Sequence, residues 1–339
     1  MTTTSQDVSN QALHNRITKA LYSGAFRTTP FCRQNLSRQN IKMMLLNWDK
    51  RQEGLQTFVT PINYISLRSA NPQNKPDLSG LDLATFEHIP STEEHWQARD
   101  SDGNVLAYRY RLQDPDKALL GALKTAALAL PKSTKSAKKD GHRGQYQVHH
   151  YACWKAMESQ PRLSAEYLSE MPSSDKFIND TKPLFDQLSQ DLRMISPDMY
   201  VKYTRVQCYL PQGVIPLAGA WHGVAINLGQ DNLTLINRHQ DWNDKRYGFN
   251  CVLPFGDFTG GELILWQLRV VVELLPSDVL LFFGRQLAHN IIEVKTGVRH
   301  SIDLFCHEAV FKWVEKQKGE QKKGKKRERE EDDNEERQE

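Results

Sequence analysis

Several features that mark common protein classes are missing from this chain of 339 residues. No stretch approaches the roughly 20 apolar residues of a transmembrane helix, and the first residues lack the apolar core of a secretory signal. The five cysteines are an odd number without a CxxC pair, which argues against a disulfide framework or a zinc ribbon. We therefore expect a soluble intracellular protein with buried free thiols and no membrane partner.

Two local patterns lack the partners that would give them a function. The glycines of FGDFTGGEL are not followed by the Lys-Ser/Thr pair of a phosphate-binding loop. They predict a tight turn over Phe255–Gly261, in which Asp257 serves the turn and not catalysis. The pair His149-His150 has no partner at metal-ligand spacing and is interpreted as structural.

Positive charge is uneven along the chain, although the net charge is only +3. The first 51 residues carry eight Lys/Arg against two Asp/Glu. A second basic cluster lies in a predicted loop over residues 131–145 and consists of Lys132, Lys135, Lys138, Lys139 and Arg143. Such a loop suits contacts with phosphates, and the alternative is a solvated surface loop. Beside the catalytic pattern described below, we favour nucleic acid as the partner.

The upstream half shows a mixture of sequence patterns, several of which are typical of helices. Apolar spacing and helix-forming residues predict helices over Gln6–Tyr22, Pro115–Leu130, His149–Glu158 and Asp180–Leu192. The overall composition, 39% hydrophobic and 25% charged, is that of an ordinary globular protein.

From Tyr200 onward the pattern favours strands. The segment Tyr200–Leu210 alternates polar and β-forming residues, as a half-buried strand does. Further short strands are predicted at Val224–Leu228, Gly248–Leu253, Glu262–Trp266, Arg269–Leu274, Val279–Phe283, Ile291–Val294 and Ser301–Cys306. Many short strands at close spacing predict a jelly-roll of antiparallel strands buttressed by the upstream helices, an α+β fold. We divide the chain into an N-terminal mixed region (1–147), a core (148–314) and a tail (315–339).

The tail follows one more predicted helix, EAVFKWVEK, and carries almost only charged and polar residues. It is therefore predicted to be disordered. Its basic half could be a nuclear import signal, and the alternative is a solvated charged tail; these basic residues are Lys322, Lys323, Lys325, Lys326 and Arg327.

Candidate metal ligands begin at His239-Gln240-Asp241. Residues two apart on an extended segment point to the same side, so both side chains can reach one ion. A third ligand is expected from His289, which lies 48 residues after Asp241. Two histidines and one carboxylate leave open positions on the metal, as in non-haem Fe(II) oxygenases.

An arginine and a serine complete the pattern. Arg299 lies ten residues after His289, and Ser301 shares its face of the last predicted strand. Arginine can grip a carboxylate through two parallel hydrogen bonds, which lysine cannot do.

The ordered set HxD…H…RxS resembles the 2-oxoglutarate/Fe(II) dioxygenases with a double-stranded β-helix core. Within that superfamily, GFNCVLPFGDFTGGELIL, LPSDVLLFFGRQLAHNIIEV and GVRHSIDLFCHE resemble the TET/JBP branch, in particular its compact fungal members. The likeness covers about residues 200–308. It implies that Fe(II) is bound by His239, Asp241 and His289 and that O₂ is consumed.

The resemblance also implies roles for further residues. Arg299 and Ser301 would hold 2-oxoglutarate, with Asn227 as a candidate for its other end. Phe305 would stack on an extruded base and His307 would hydrogen-bond its edge; alternatively, Phe305 is core and His307 a surface residue. Asp244 occupies a position where animal members carry asparagine. Because aspartate only accepts hydrogen bonds, it suits an exocyclic amino group.

These observations predict a dioxygenase that oxidises methylated bases in DNA. The substrate would be 5-methylcytosine, converted to 5-hydroxymethylcytosine and more oxidised forms, with N6-methyladenine demethylation as a further activity. The alternatives are a prolyl-type hydroxylase of protein side chains and a catalytically silent jelly-roll binding module. We expect a nuclear or otherwise cytoplasmic location, and the sequence identifies no protein partner.

Overall fold

The computed structural model describes residues 54–60, 80–113, 117–132, 147–229 and 236–319. The strands are β1 (Gln56–Val59), β2 (Glu87–Ile89), β3 (Trp96–Arg99), β4 (Val105–Arg111), β5 (Gln147–Trp154), β6 (Arg162–Leu163), β7 (Gly223–Leu228), β8 (Ile236–His239), β9 (Asn250–Gly260), β10 (Leu263–Leu265), β11 (Val270–Val272), β12 (Asp278–Phe282), β13 (His289–Ile291) and β14 (Val294–Phe305). The helices are α1 (Ala118–Leu128), α2 (Ala165–Ser169), α3 (Ser173–Ile195), α4 (Pro197–Val206) and α5 (308–319), with 3₁₀ turns at Leu83–Thr85 and Gln207–Tyr209.

Two sheets form the core. The larger sheet has the strand order β1-β3-β4-β12-β9-β14-β7-β5-β6, and the smaller has the order β2-β11-β10-β13-β8. Neighbours are antiparallel except for the pairs β1–β3 and β2–β11. Buried side chains of both sheets join one hydrophobic cluster. The predicted α+β fold with antiparallel strands is thus confirmed, and strands upstream of residue 147 extend both sheets.

Helices α1 and α3 buttress the larger sheet. Helix α1 contacts β7, β9 and α3, and it buries Leu123, Ala126 and Ala127. Helix α3 places apolar residues at helical spacing on its buried side, among them Phe177 and Leu184. Both helices confirm the predicted ones with shifted ends. No helix within the described ranges combines the length and hydrophobicity needed to cross a membrane.

The helix predicted over His149–Glu158 is wrong, because the segment belongs to strand β5 as far as Trp154 and is not helical after it. It pairs antiparallel with β7, so that Gln147 lies opposite Leu228. Most of the strand is at least partly buried on both faces. Burial on both faces removes the alternation of polar and apolar residues that identifies a strand in a sequence.

The strand predicted over Tyr200–Leu210 is also wrong, because helix α4 and a 3₁₀ turn occupy this segment. Helix α4 begins with Pro197 and has Asp198 in its first turn and Arg205 in its last. These are favourable positions for proline and for each charge at the ends of a helix. The buried residues Tyr200, Tyr203, Thr204 and Val206 follow helical spacing as well as they follow alternation.

Three smaller expectations change as well. The turn predicted over Phe255–Gly261 is largely strand, since β9 continues to Gly260 in register with β14. Helix α5 extends to residue 319, so residues 315–319 are helical and not part of a disordered tail. Cys208 is exposed, whereas the three other described cysteines are buried as expected. The predicted helix Gln6–Tyr22, most of the basic loop and the tail beyond residue 319 lie outside the described residues.

Candidate active site

Strands β8 and β13 bring the three candidate metal ligands together. The two strands are antiparallel, and His289 lies directly opposite His239 with 4.3 Å between the ring centroids. Asp241 follows just after β8. Its Oδ1 lies 3.7 Å from His239 Nε2, and its Oδ2 lies 3.4 Å from His289 Nε2. One ligand atom from each side chain lies within 4.8 Å of the others, so the cluster can hold a metal ion.

Both histidines are held with the same nitrogen toward the cluster. His239 Nδ1 lies 2.8 Å from the carbonyl oxygen of Asn237, and His289 Nδ1 lies 2.8 Å from that of Leu287. A carbonyl only accepts, so Nδ1 carries the hydrogen and Nε2 keeps its lone pair. Metal-binding histidines are oriented by this kind of contact. The donor set of two imidazoles and one carboxylate therefore suits Fe(II) with open coordination positions.

The Asp241 carboxylate is positioned by its neighbours. Its backbone N–H donates to the carbonyl of Gly284 at 3.0 Å, and Asn250 Nδ2 lies 3.4 Å from Asp241 Oδ2. A Cβ on Gly284 would lie only 2.9 Å from that oxygen and 2.8 Å from the Asn250 side chain. Glycine is therefore needed at position 284 for steric reasons. Neither Asn250 nor Gly284 was identified from the sequence.

Arg299 is completely buried in the sheet. None of its three guanidinium nitrogens has a hydrogen-bond partner within the described part of the chain. Desolvation lowers the pKa of Arg299 to about 10, and the charge of Glu262 partly opposes this effect. The guanidinium carbon lies 5.6 Å from the ring centre of Phe258. A Cβ on Gly261 would lie 2.7 Å from Arg299 Cδ, so this glycine makes room for the side chain.

A buried guanidinium without hydrogen-bond acceptors is costly, because its donors have been removed from water without replacement. An anionic ligand would supply the acceptors. The residues present thus fit a carboxylate such as the distal end of 2-oxoglutarate.

Ser301 and Asn227 are paired across the larger sheet. They lie opposite each other on β14 and β7, and Asn227 Nδ2 donates to Ser301 Oγ at 3.3 Å. Both line the cleft between the sheets that also contains the His-Asp-His cluster. Contact with a bound cosubstrate therefore stays a prediction for both residues.

The same cleft contains polar residues that the sequence did not identify. Asp303 follows Ser301 on the same face of β14, and His150 reaches the cleft from β5. The alternation Arg299, Ser301, Asp303 along one strand could have identified Asp303. His150 was missed because its segment was predicted as a helix.

His149, the neighbour of His150 on β5, does not line the cleft. It is fully buried, its Nδ1 lies 2.8 Å from Glu170 Oε2, and its Nε2 lies 2.9 Å from Gln147 Nε2. Glu166 completes a second cluster of possible metal ligands. Since both ring nitrogens already have protein partners, His149 fits its structural interpretation, whereas the neighbouring His150 lines the cleft.

The three candidate base-handling residues lie at the far end of β14. Asp244 and His307 form an isolated antiparallel bridge, and Asn250 Nδ2 donates to Asp244 Oδ2 at 2.7 Å. Burial lowers the pKa of His307. Phe305 is nearly buried and packs with Ala152 and Ala225, against Trp154. The carbonyl of Asp244 accepts from Arg285 at 2.9 Å.

Of the five candidate DNA-binding residues, the structure describes only Lys132, which is exposed after α1. Lys135, Lys138, Lys139 and Arg143 lie outside the described residues.

Comparisons with known proteins identify a fold. No protein-family model and no curated protein sequence matches the chain. The structure of NgTET1 in complex with 5mC DNA is similar with a TM-score of 0.52 and 14% identity, over 79% of this chain and 90% of that one. A 2OG-Fe(II) oxygenase family oxidoreductase from Burkholderia pseudomallei scores 0.38 at 16% identity, over 58% and 84%. A prolyl-4-hydroxylase from Pseudomonas putida scores 0.35 at 14% identity, over 68% and 100%. The fold assignment rests on the first match: the chain has the double-stranded β-helix fold.

Proposed function

We propose that the protein is an Fe(II)- and 2-oxoglutarate-dependent dioxygenase that oxidises methylated bases in DNA. The observation that carries this proposal is the pairing of a His-Asp-His cluster with Arg299, a buried guanidinium whose nitrogens lack hydrogen-bond acceptors among the described residues. A set of metal-binding side chains alone would suit many hydrolases and oxidases. Metal-binding side chains together with a buried arginine that can bind a carboxylate suit a metal enzyme with a dicarboxylate cosubstrate.

The described residues divide the binding tasks among them. His239, Asp241 and His289 would hold the iron, and Arg299 and Ser301 would bind the distal carboxylate of 2-oxoglutarate. Asn227, which donates to Ser301, would orient that hydroxyl. Bound together, Fe(II) and 2-oxoglutarate supply the activation of O₂ that oxidation of a methyl C–H bond requires. The cleft between the sheets would shield this chemistry from water.

A flipped nucleobase is the substrate that best matches the far end of β14. Phe305 offers a ring for stacking, and His307 and Asp244 offer polar contacts to a base edge. The bridge between Asp244 and His307 places these two residues side by side. Asp244 would accept a hydrogen bond from the exocyclic amino group of 5-methylcytosine or N6-methyladenine. The fold likeness to NgTET1, solved with 5mC DNA, supports the same choice.

Contacts with the flanking phosphates would come from basic residues. Lys132 is exposed next to the segment that contains Lys135, Lys138, Lys139 and Arg143. Binding through such residues weakens as the salt concentration rises, because counterions are released from DNA. The basic half of the C-terminal tail would direct the protein to the nucleus.

The test is mass spectrometry of nucleosides from DNA incubated with the protein, Fe(II), ascorbate and 2-oxoglutarate. One arm contains 5-methylcytosine and the other N6-methyladenine, and Asp241→Ala serves as the inactive control. Oxidised cytosines or loss of N6-methyladenine, absent in the control, would support the proposal. Succinate formation without any change in either nucleoside would overturn the DNA substrate and favour a protein or RNA substrate.

A further inference from the structure

A row of three residues crosses the larger sheet inside the cleft. His150 on β5 lies opposite Ala225 on β7, and Ala225 lies opposite Asp303 on β14. We call these residues the cleft row. His150, Ala225 and Asp303 all line the cleft that also contains the candidate metal ligands His239, Asp241 and His289. Because alanine is small, the two polar side chains on either side of it are not separated by a bulky neighbour.

The cleft row lies between the two ends of the proposed active site. On β14, Ser301 precedes Asp303 by two residues and Phe305 follows it by two. Each step of two residues along a strand covers about 7 Å and keeps the side chain on the same face. Asp303 is therefore placed after the residues proposed to hold the cosubstrate and before the residue proposed to stack on the base. A base substituent directed at the iron would enter the cleft that Asp303 lines together with His239, Asp241 and His289.

A carboxylate here distinguishes the substituents that successive oxidations produce. A methyl group, O₂ and 2-oxoglutarate give a hydroxymethyl group, succinate and CO₂. A second round gives the aldehyde, water, succinate and CO₂, and a third gives the carboxylic acid, succinate and CO₂. The hydroxymethyl group offers an O–H donor, whereas the formyl oxygen only accepts and the ionised acid is negative. An ionised aspartate also accepts only.

We propose that Asp303 determines how far the base is oxidised, an inference that rests on the proposed function. Asp303 accepts a hydrogen bond from the hydroxymethyl group and holds it for the second oxidation. It opposes the formyl group, because two acceptors then face each other without a donor between them. Oxidation therefore slows before the third round, and the aldehyde accumulates over the acid. An aspartate that has a protein partner on one side keeps further acceptor positions for the substrate.

The test compares wild type with Asp303→Asn, which keeps the side-chain shape but adds an N–H donor. Duplexes containing 5-methylcytosine, 5-hydroxymethylcytosine or 5-formylcytosine are oxidised separately, and kcat/KM is measured for each. In wild type we expect the 5-hydroxymethyl duplex to be preferred to the 5-formyl duplex. In Asp303→Asn this preference should fall by roughly tenfold or more, the effect of satisfying one unpaired polar contact. Asp257→Asn, at an exposed position of β9, is the matched control and should leave the preference unchanged.

A binding measurement keeps the inference testable where turnover of the variant is slow. Without O₂, but with Fe(II) and 2-oxoglutarate, wild type should bind the 5-hydroxymethyl duplex more tightly than the 5-formyl duplex, and Asp303→Asn should reduce that difference. Wild-type oxidation of cytosine substituents with the same preference in Asp303→Asn would overturn the role of Asp303 alone. Absence of any wild-type oxidation of the three duplexes would overturn the proposed cytosine activity and this inference together.

Discussion

Replacing Arg299 with methionine should have opposite effects on stability and on cosubstrate binding. The lowering of the Arg299 pKa from 12.5 to about 10 corresponds to roughly 3 kcal/mol of unfavourable charge burial. At neutral pH the guanidinium is protonated in both the folded and the unfolded chain, so this cost is present in full. The cation–π contact with the Phe258 ring stabilises the folded state by about 1 kcal/mol and offsets part of this cost.

Arg299→Met removes the charge but retains a long side chain, and buried charges replaced in this way are often neutral or stabilising. We expect the free energy of unfolding to rise by about 1–2 kcal/mol without 2-oxoglutarate. The unfolding temperature should then rise by roughly 2–4 °C for each kcal/mol. In wild type, 2-oxoglutarate at 100 times its Kd should raise the free energy of unfolding by about 2.7 kcal/mol. In the variant, 2-oxoglutarate should leave the free energy of unfolding almost unchanged.

The assay is thermal unfolding with anaerobic Fe(II), in the presence and absence of 2-oxoglutarate. Arg109 is the matched control, since it is equally buried but donates to the Pro90 carbonyl at 2.9 Å and pairs with Asp278 at 3.1 Å. Arg109→Met should destabilise the protein by about 3 kcal/mol, because it breaks a buried ion pair. An Arg299→Met protein that is less stable than wild type, or that is still stabilised by 2-oxoglutarate, would refute the reasoning.

Three further predictions concern the metal cluster and a buried histidine. Asp241→Ala and His289→Ala should each abolish nucleoside oxidation while circular dichroism stays unchanged; activity in either variant would contradict the ligand assignment. Gly284→Ala should lower Fe(II) affinity at least about tenfold, because its Cβ would crowd the Asp241 carboxylate. In an Fe(II) titration, the control Gly121→Ala should keep the wild-type Fe(II) affinity, because no atom lies within 4 Å of the added carbon. Equal Fe(II) affinities of Gly284→Ala and Gly121→Ala would contradict this reasoning. Burial lowers the pKa of His222 to about 4, so the folded state binds fewer protons than the unfolded state between pH 6.5 and 4. Unfolding by urea should therefore show up to about 3 kcal/mol less stability at pH 4 than at pH 7, and His222→Gln should lose that part of the dependence.

Two wrong predictions of secondary structure show what the local sequence does not determine. The sequence pattern predicts a helix over His149–Glu158, where the structure has strand β5. It predicts a strand over Tyr200–Leu210, where the structure has helix α4 and a 3₁₀ turn. Each segment fits either pattern, because strand β5 is covered on both faces and helix α4 buries residues at spacings that also alternate. Packing against distant elements, β7 for the first segment, decided between the alternatives.

By itself, the sequence determined the chemistry and the order of the proposed metal and cosubstrate residues. Spacing of two along a strand is fixed by local backbone geometry, so Arg299 and Ser301 on β14 could be assigned to one face without a structure. Only the tertiary structure decided which residues from distant segments join them. The cleft row depends on the registers of three strands, and the space for Arg299 depends on Gly261. Registers between distant strands are set by the packing of the whole core, to which every segment contributes, and no local pattern encodes them.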